Sequence, residues 1–546
     1  MAAVGEAPTL FLRKATGLVK GWSKFDAFLY SFMSVNFVTL GLFFAFSVLA
    51  FVPAGQVLPA LLISGVFVTF LVVTYSGLIS VMPRAGGDYV WQSRVLGGGI
   101  AFVLAVTGWW FILWYWAPIY GNILNVEVFQ PLAAIFKLDG ISTFLASNNG
   151  LFFVCAVTVL LAGYLVSLGM EGYAKVQKVC FYIGMVALGI VFLVMLFGSQ
   201  SGFQNAFNQE AANLFGGSGD VYSKTITLAA DTNGGTIVPS LGFSPFFGDT
   251  LLLVPFLCFW ILWPNWGATL YGEVRGASDF RRVMSGMMWG LWITVAVAIV
   301  FVLLASKFFG WQFFNGANLN YWNVVYGYIP EATMPIWSYP PLLASFYFHS
   351  SLISALIILA FGAWFLGWAG TLFLSSTRVI FAAAFDRILP ERVADVSERR
   401  HVPIWALVLM LVPALIVSAF YAYTSTFKTW ILDATLVIAV TFFGTAIAAM
   451  VLPWRKKRLY ESSPMARYKV AGIPLITVTG FFTAAFLGFN LYHWFTNDLY
   501  AVNDKDSLYF MGGMYVLALV IYVVAKVVRN SQGIDLSAIH KEIPVE

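Results

Sequence analysis

Charged side chains are the scarcest feature of this sequence. They make up 10% of its 546 residues, against about 25% in an ordinary soluble domain. Hydrophobic residues reach 60%, so a soluble fold of this length could not cover its surface with polar groups. The shortage of charge excludes a string of soluble domains and indicates an integral membrane protein.

Other shortages exclude further classes of protein. Three cysteines, at positions 155, 180 and 258, are too few for a disulfide framework and all lie in apolar runs. The 30 Lys and Arg are nearly balanced by 25 Asp and Glu, so we expect no nucleic-acid binding. We also expect no cofactor and no metal site, because the apolar runs hold no cluster of His, Cys, Asp and Glu.

Long apolar runs are what the sequence has instead. A helix needs about 20 residues to cross a bilayer, and runs of roughly that length without Asp, Glu, Lys or Arg predict twelve spans. They lie at 27–52, 57–82, 96–120, 151–169, 179–198, 250–272, 283–306, 350–377, 402–423, 434–453, 471–496 and 507–525. By this definition no predicted span carries a formal charge.

The distribution of basic residues predicts the orientation. With the N-terminus inside, the inner segments hold 25 Lys and Arg and the outer loops hold 5. Basic residues are enriched in cytoplasmic loops of membrane proteins. We therefore predict a multi-pass protein of the cell membrane with both termini in the cytoplasm.

The spans divide the chain into segments. We predict a cytoplasmic N-terminal segment (1–26), a ten-helix core (27–453), two additional spans (471–528) and a cytoplasmic tail (529–546). Within the core, two repeats at about 27–198 and 250–453 would flank an outer loop at 199–249. Residues 224–238 of that loop surround an Asn-Gly-Gly turn and predict a β-hairpin; a partly ordered cap is the alternative.

Two spans carry signs of an interrupted helix. Span six contains Pro264, Asn265 and Gly267 near its middle, and proline removes a backbone donor. Span one has Asn36, Thr39 and Gly41 at its centre but no internal proline. Interrupted helices in corresponding positions of two repeats mark the substrate site of many transporters. The alternative is that Pro264 only kinks a packing helix.

Four inner-side motifs resemble one transporter family. Residues 83–94 read P-R-A-G-G-D-Y-V-W-Q-S-R, residues 272–275 read G-E-V-R, residues 378–390 read R-V-I-F-A-A-A-F-D-R-I-L-P, and Val-Gln occupies 176–177. In this order and spacing they resemble the amino acid–polyamine–organocation (APC) superfamily of amino acid permeases. The resemblance implies an all-α membrane protein with a leucine-transporter-like five-plus-five inverted repeat and two C-terminal helices.

The resemblance also implies a substrate site at the two interruptions. In the family, a substrate carboxylate docks on backbone amides of a G-S-G stretch in the first helix, where this chain has Thr39, Leu40 and Gly41. The side chain of Thr39 and the extra bulk of Leu40 make a close approach of a carboxylate to this backbone harder than in the family's G-S-G stretch. The predicted substrate-binding residues are Asn36, Val38, Thr39, Leu40, Gly41, Phe259, Trp260, Trp263 and Asn265.

Energy coupling stays open between a proton, a sodium ion and none. Gly184 stands where several proton-driven relatives have a lysine, and hydroxyls of span eight are candidate sodium ligands, although such groups commonly bond their own helix. The predicted ion site is Thr371, Ser375 and Ser376. Uniport or exchange would need no coupling ion.

The charged inner motifs predict a closure network on the cytoplasmic side, with topology and loop capping as the alternative. Its expected members are Arg84, Arg94, Glu273, Arg378 and Asp386. The leading hypothesis is a secondary or exchange transporter of amino acids or related organic amines that works by alternating access. A sensor that keeps the transporter fold without flux is the alternative, and a polytopic membrane enzyme is the least favoured. The oligomeric state is left open.

Overall fold

Twelve helices in the computed structural model are long and apolar enough to cross a membrane. The structure describes residues 18–235 and 238–541. The spans are Lys24–Ala45, Val57–Val81, Gly98–Ile135, Asn148–Ser167, Gly169–Phe197, Gly248–Glu273, Phe280–Val325, Ser351–Phe385, Ile404–Tyr423, Ile431–Arg455, Leu475–Thr496 and Lys505–Ser531. They match the twelve predicted spans in order, which confirms an all-α membrane protein. The five-plus-five repeat stays a prediction.

Several spans are longer than the charge-free runs that predicted them. The third ends at Ile135 rather than near residue 120, and the seventh ends at Val325 rather than near 306. Both continue through short π-helical segments, Asn125–Phe129 and Ser306–Gly310. The third span therefore contains Glu127, so the expectation that no span carries a charge is wrong.

Shorter elements lie between the spans. On the predicted inner side these are the helices Gly87–Val95, Lys457–Glu461 and Leu536–Ile539, and a two-stranded antiparallel pair, Lys469–Val470 with Ile473–Pro474. On the predicted outer side they are the helices Asp139–Ala146, Gln200–Phe215, Val221–Thr232 and Pro340–Ser345. Short 3₁₀ turns lie at Leu49–Phe51, Phe346–Phe348, Glu391–Ala394, Thr426–Lys428, Pro464–Arg467 and Asp498–Tyr500.

The β-hairpin predicted in the outer loop is wrong. Its first strand is instead part of the helix Val221–Thr232, which Asp220 caps by accepting from the Ser223 amide. Tyr222 buries its ring flat on Phe313, with centroids 4.5 Å apart. The positive φ angles of Gly234 and Gly235 end the helix rather than turn a hairpin. Residues 236 and 237 lie outside the described part of the chain.

Spans one and six form the centre of the helix bundle. In each, 89% of the most apolar stretch is buried, against 17% in span twelve. The first half of span one packs on span seven, and its second half packs on the first half of span six. The two spans with predicted interruptions are thus the ones most enclosed by protein, where irregular backbone is tolerated in a membrane.

Candidate functional site

Span one is interrupted at Asn36. An α-helix, Lys24–Val35, ends there, and a π-helical segment, Phe37–Ala45, begins after it. Asn36 has a left-handed φ of 41°, a conformation that asparagine adopts more easily than most residues. Its side-chain oxygen accepts from the Thr39 amide at 3.1 Å and from the Trp364 indole at 2.8 Å. An asparagine therefore breaks and recaps this helix without a proline.

Span six is interrupted between Ile261 and Trp266. An α-helix, Leu253–Ile261, gives way to a 3₁₀ segment, Trp266–Glu273, and Pro264 lies between them. Neighbouring spans satisfy two carbonyls at this break. The Ser31 hydroxyl donates to the Pro264 carbonyl and the Ser375 hydroxyl donates to the Trp266 carbonyl, both at 2.8 Å. Pro264 thus divides the span into two segments and does not merely kink it.

The two interruptions meet through Gly41 and Trp260. A Cβ placed on Gly41 would lie 3.1 Å from the Trp260 ring, so the indole rests directly on the glycine backbone. Further along, Phe44 contacts Phe259 with ring centroids 4.9 Å apart. Val38 and Leu40 are also fully buried in this contact region.

Aromatic rings from span three close one side of the region. Trp116 lies nearly parallel to Phe259 with centroids 5.6 Å apart and meets Trp263 edge-on at 5.4 Å. Trp109 contacts Trp266 at 4.6 Å. The aromatic faces of spans three and six therefore form a common wall beside the broken helices.

Of the nineteen buried side-chain polar atoms that lack a hydrogen-bond partner among the described residues, nine belong to residues of the two breaks or to residues that interact with them. We call these nine the unpaired polar set: Asn36 Nδ2, Thr39 Oγ1, Trp116 Nε1, Glu127 Oε1 and Oε2, Trp260 Nε1, both amide atoms of Asn265, and the Tyr339 hydroxyl. Most buried polar groups in proteins find a partner, so these unpartnered atoms need an explanation. Donors and acceptors left open around two broken helices are what a polar substrate could satisfy.

Sequence reasoning missed Glu127 because the third span was predicted to end near residue 120, before this acid. Its side chain is completely buried, and the Thr39 hydroxyl at the span-one break is one of the groups that interact with it. A signal was present in the sequence, since residues 121–136 are apolar or uncharged apart from this one acid.

The predicted ion-site hydroxyls make hydrogen bonds to different partners. Ser375 bridges the Tyr30 hydroxyl and the Trp266 carbonyl, whereas Ser376 donates to Phe373 of its own helix. Thr371 meets the Tyr120 hydroxyl at 3.3 Å. Ser375 and Thr371 tie span eight to its neighbours, and the ion site stays a prediction.

Two buried ion pairs lie on the predicted inner side. Arg378 donates from Nε and Nη2 to the two carboxylate oxygens of Glu273, at 2.8 and 3.1 Å. Arg94 pairs in the same bidentate way with Asp386, at 2.8 Å through Nη2. Arg84 instead donates to the carbonyl of Pro83. Four of the five predicted closure residues thus form two ion pairs that join the second, sixth and eighth span regions.

Three further residues around these pairs were not anticipated. The Tyr89 hydroxyl donates to Asp386 at 2.9 Å and lies 3.3 Å from His540 Nε2 in the C-terminal tail. Asp88, also fully buried, accepts from the Tyr75 and Thr445 hydroxyls and from the Trp109 indole. The motif at residues 83–94 thus contacts the C-terminal tail through Tyr89 and the aromatic wall through Asp88.

A cleft of about 450 Å³ on the predicted outer side reaches the end of the broken spans; we call it the outer cleft. Its lining includes Phe44 of span one, Phe256 of span six, Tyr326 and Asp498. The structure therefore combines a cleft on the predicted outer side with buried ion pairs on the predicted inner side.

Comparison with known families agrees with this architecture. The family model described as amino acid permease matches residues 25–524. This range begins at the start of the first span and ends within the twelfth. No curated protein matches the chain significantly. With the broken helices and the family match together, the chain belongs to the amino acid permease family of the APC superfamily.

Proposed function

We propose that this protein is a secondary or exchange transporter that moves amino acids or related organic amines across the cell membrane by alternating access. The observation that carries the proposal is the meeting of two broken helices amid buried polar atoms that lack partners. A bound solute with its own donors and acceptors would satisfy those atoms, and release would require the surrounding helices to part.

The two sides of the molecule support alternating access. The outer cleft ends against the broken spans, and the Arg378–Glu273 and Arg94–Asp386 pairs close the inner side. Alternate closure of the outer and inner sides would move a bound solute across the membrane. Opening of the inner side would require the two ion pairs to separate first. Coupling of transport to a proton or a sodium ion is part of this proposal. The uptake assay described next measures it.

Uptake by purified protein in liposomes tests the proposal. Labelled amino acids and amines should accumulate in proteoliposomes, with sodium and pH gradients applied in turn to identify a coupling ion. Trp260→Ala should abolish uptake because the ring covers Gly41, whereas Trp289→Ala, at a 62% exposed position of span seven, should not. Failure of every amine and amino acid with folded protein would reject the transport proposal, and binding without flux would indicate a sensor.

Thiol labelling tests the proposed orientation in the cell membrane. A cysteine replacing Lys224 should react with an impermeant reagent on intact cells, whereas one replacing Lys457 should react only after the membrane is opened. Both positions are exposed at the protein surface. The reverse pattern would contradict cytoplasmic termini.

A further inference from the structure

Glu127 is the one member of the unpaired polar set whose side chain can carry a formal charge. It lies in the π-helical segment Asn125–Phe129 of span three, and none of its carboxyl surface is exposed. Neither oxygen has a hydrogen-bond partner in the part of the chain that the structure describes. Among the described residues, no Lys, Arg or His forms an ion pair with it.

Two hydroxyl groups interact with this carboxyl group. One is the Thr39 hydroxyl at the break in span one, and the other is the Tyr339 hydroxyl. Both hydroxyls also lack a partner of normal geometry. The carboxyl group therefore faces the same broken helix that carries Asn36 and Gly41.

The other buried carboxyl groups near the transport path show what a structural role requires. Asp88 accepts three hydrogen bonds, and Asp386 accepts from Arg94 and Tyr89. A buried carboxylate without such partners is costly, and a charged group within a membrane commonly marks a ligand site. Glu127 has the burial of these residues but none of their donors, so a cation or a donor from outside the chain would complete its set of partners.

We propose that Glu127 binds the ammonium group of the substrate, and that the site therefore prefers organic amines without a carboxylate over the corresponding amino acids. The inference rests on the transport function proposed above. An ammonium group supplies the charge and the N–H donors that the two carboxylate oxygens lack.

The same charge disfavours an anion at the span-one break. A substrate carboxylate docked on the Thr39 and Leu40 amides would lie beside the Glu127 carboxylate, and two like charges in a buried setting repel strongly. In addition, the Thr39 amide is already taken by the Asn36 side chain. The rings of Trp260 and Trp116 offer faces on which the hydrocarbon part of an amine can lie.

Matched pairs of ligands isolate the carboxylate. The probes are phenethylamine against phenylalanine, isoamylamine against leucine, and cadaverine against lysine, measured by equilibrium binding to purified full-length protein and by uptake into liposomes. We expect at least one amine to bind the wild-type protein tenfold or more tightly than its parent amino acid. Because this comparison needs no substitution, it stands even if a variant fails to fold.

Glu127→Gln removes the charge at almost constant shape. It should weaken amine binding by roughly tenfold to a hundredfold, as expected for loss of a hydrogen bond to a charged group, and should bring the amine and the amino acid to similar affinity. Asp433→Asn is the matched control. It neutralises another buried carboxyl group, in span ten, whose hydrogen bond from Ser507 an amide oxygen can still accept.

The outcomes separate this inference from the transport proposal. Uptake of amino acids with equal or higher affinity than amines, or unchanged amine binding in Glu127→Gln, would overturn the role of Glu127 and leave transport intact. Absence of binding and uptake for every probe would overturn both.

Discussion

The Arg378–Glu273 pair offers a sharp test of inner closure. Both side chains are essentially unexposed, at 0% and 1%, and the pair is bidentate. Arg378→Met would leave the Glu273 carboxylate buried and unpaired. Removing one partner of a buried ion pair costs about 3–5 kcal/mol.

That cost acts on the equilibrium between inner-closed and inner-open forms. Glu273 also lines a cleft on the inner side, so opening would hydrate its carboxylate. If hydration relieves the cost, the equilibrium moves toward the open form by roughly two to three and a half powers of ten. The double variant Arg378→Met with Glu273→Gln removes both charges and should restore most of the closed population.

Labelling of an introduced cysteine measures the change. Thr269 is buried below the span-six break, 3.0 Å from a Cβ placed on Gly87, and the three native cysteines are buried. In Thr269→Cys protein, an inner-side thiol reagent should react much faster when Arg378→Met is added and slowly again in the double variant. Equal labelling in all three folded proteins, or a double variant as open as the single one, would refute this reasoning.

Three smaller predictions concern other parts of the fold. Asn36→Ala should destabilise the protein by about 1–2 kcal/mol, since it removes a helix cap and places alanine in a left-handed conformation. Thermal unfolding measures this loss, and an unchanged unfolding midpoint would contradict it. Asp220→Ala should speed amide hydrogen exchange in the first turn of Val221–Thr232, whereas Asp231→Ala near its other end should not. Hydrogen bonds from Ser223 lower the pKa of Asp220 to about 2, so the wild-type cap should be fully present above about pH 4 and be lost as the pH falls through 2. His540→Ala should modestly raise Thr269→Cys labelling, because His540 contacts Tyr89 beside Asp386; a lowered rate would contradict a latch by the tail.

Hydropathy predicted the spans because the bilayer imposes one rule on every helix. Apolar length and the inside bias of Lys and Arg are properties of local sequence, so all twelve spans were predictable. The same rule failed at Glu127. Span three was predicted to end near residue 120, whereas the helix continues to Ile135 and the surrounding protein buries the acid it contains.

For the ion pairs that join distant parts of the chain, the sequence predicted which residues take part but not which arginine pairs with which acid. The family motifs placed Arg94, Glu273, Arg378 and Asp386 together, but which arginine meets which acid depends on how helices 105 and 292 residues apart cross. The hairpin prediction failed for a related reason. The turn residues Gly234 and Gly235 suit a helix end as well as a hairpin, and packing of Tyr222 on Phe313 decides between them.

The two helix breaks show the difference between features set by local sequence and features set by distant contacts. Pro264 marked the span-six break through a property of its own backbone. The span-one break rests on Asn36, whose left-handed conformation is held by Trp364 of span eight, a contact that local sequence does not contain.

Substitution of Gly41 tests the central claim, that the two breaks form the substrate site, most directly. Any Cβ there meets Trp260 at 3.1 Å, so Gly41→Val should fill the space between the broken helices, whereas Gly488→Val faces an ordinary 3.7 Å contact in span eleven. The measurement is uptake of labelled amines and amino acids into proteoliposomes. The account predicts uptake by wild type and Gly488→Val and none by folded Gly41→Val; undiminished uptake by Gly41→Val would contradict it.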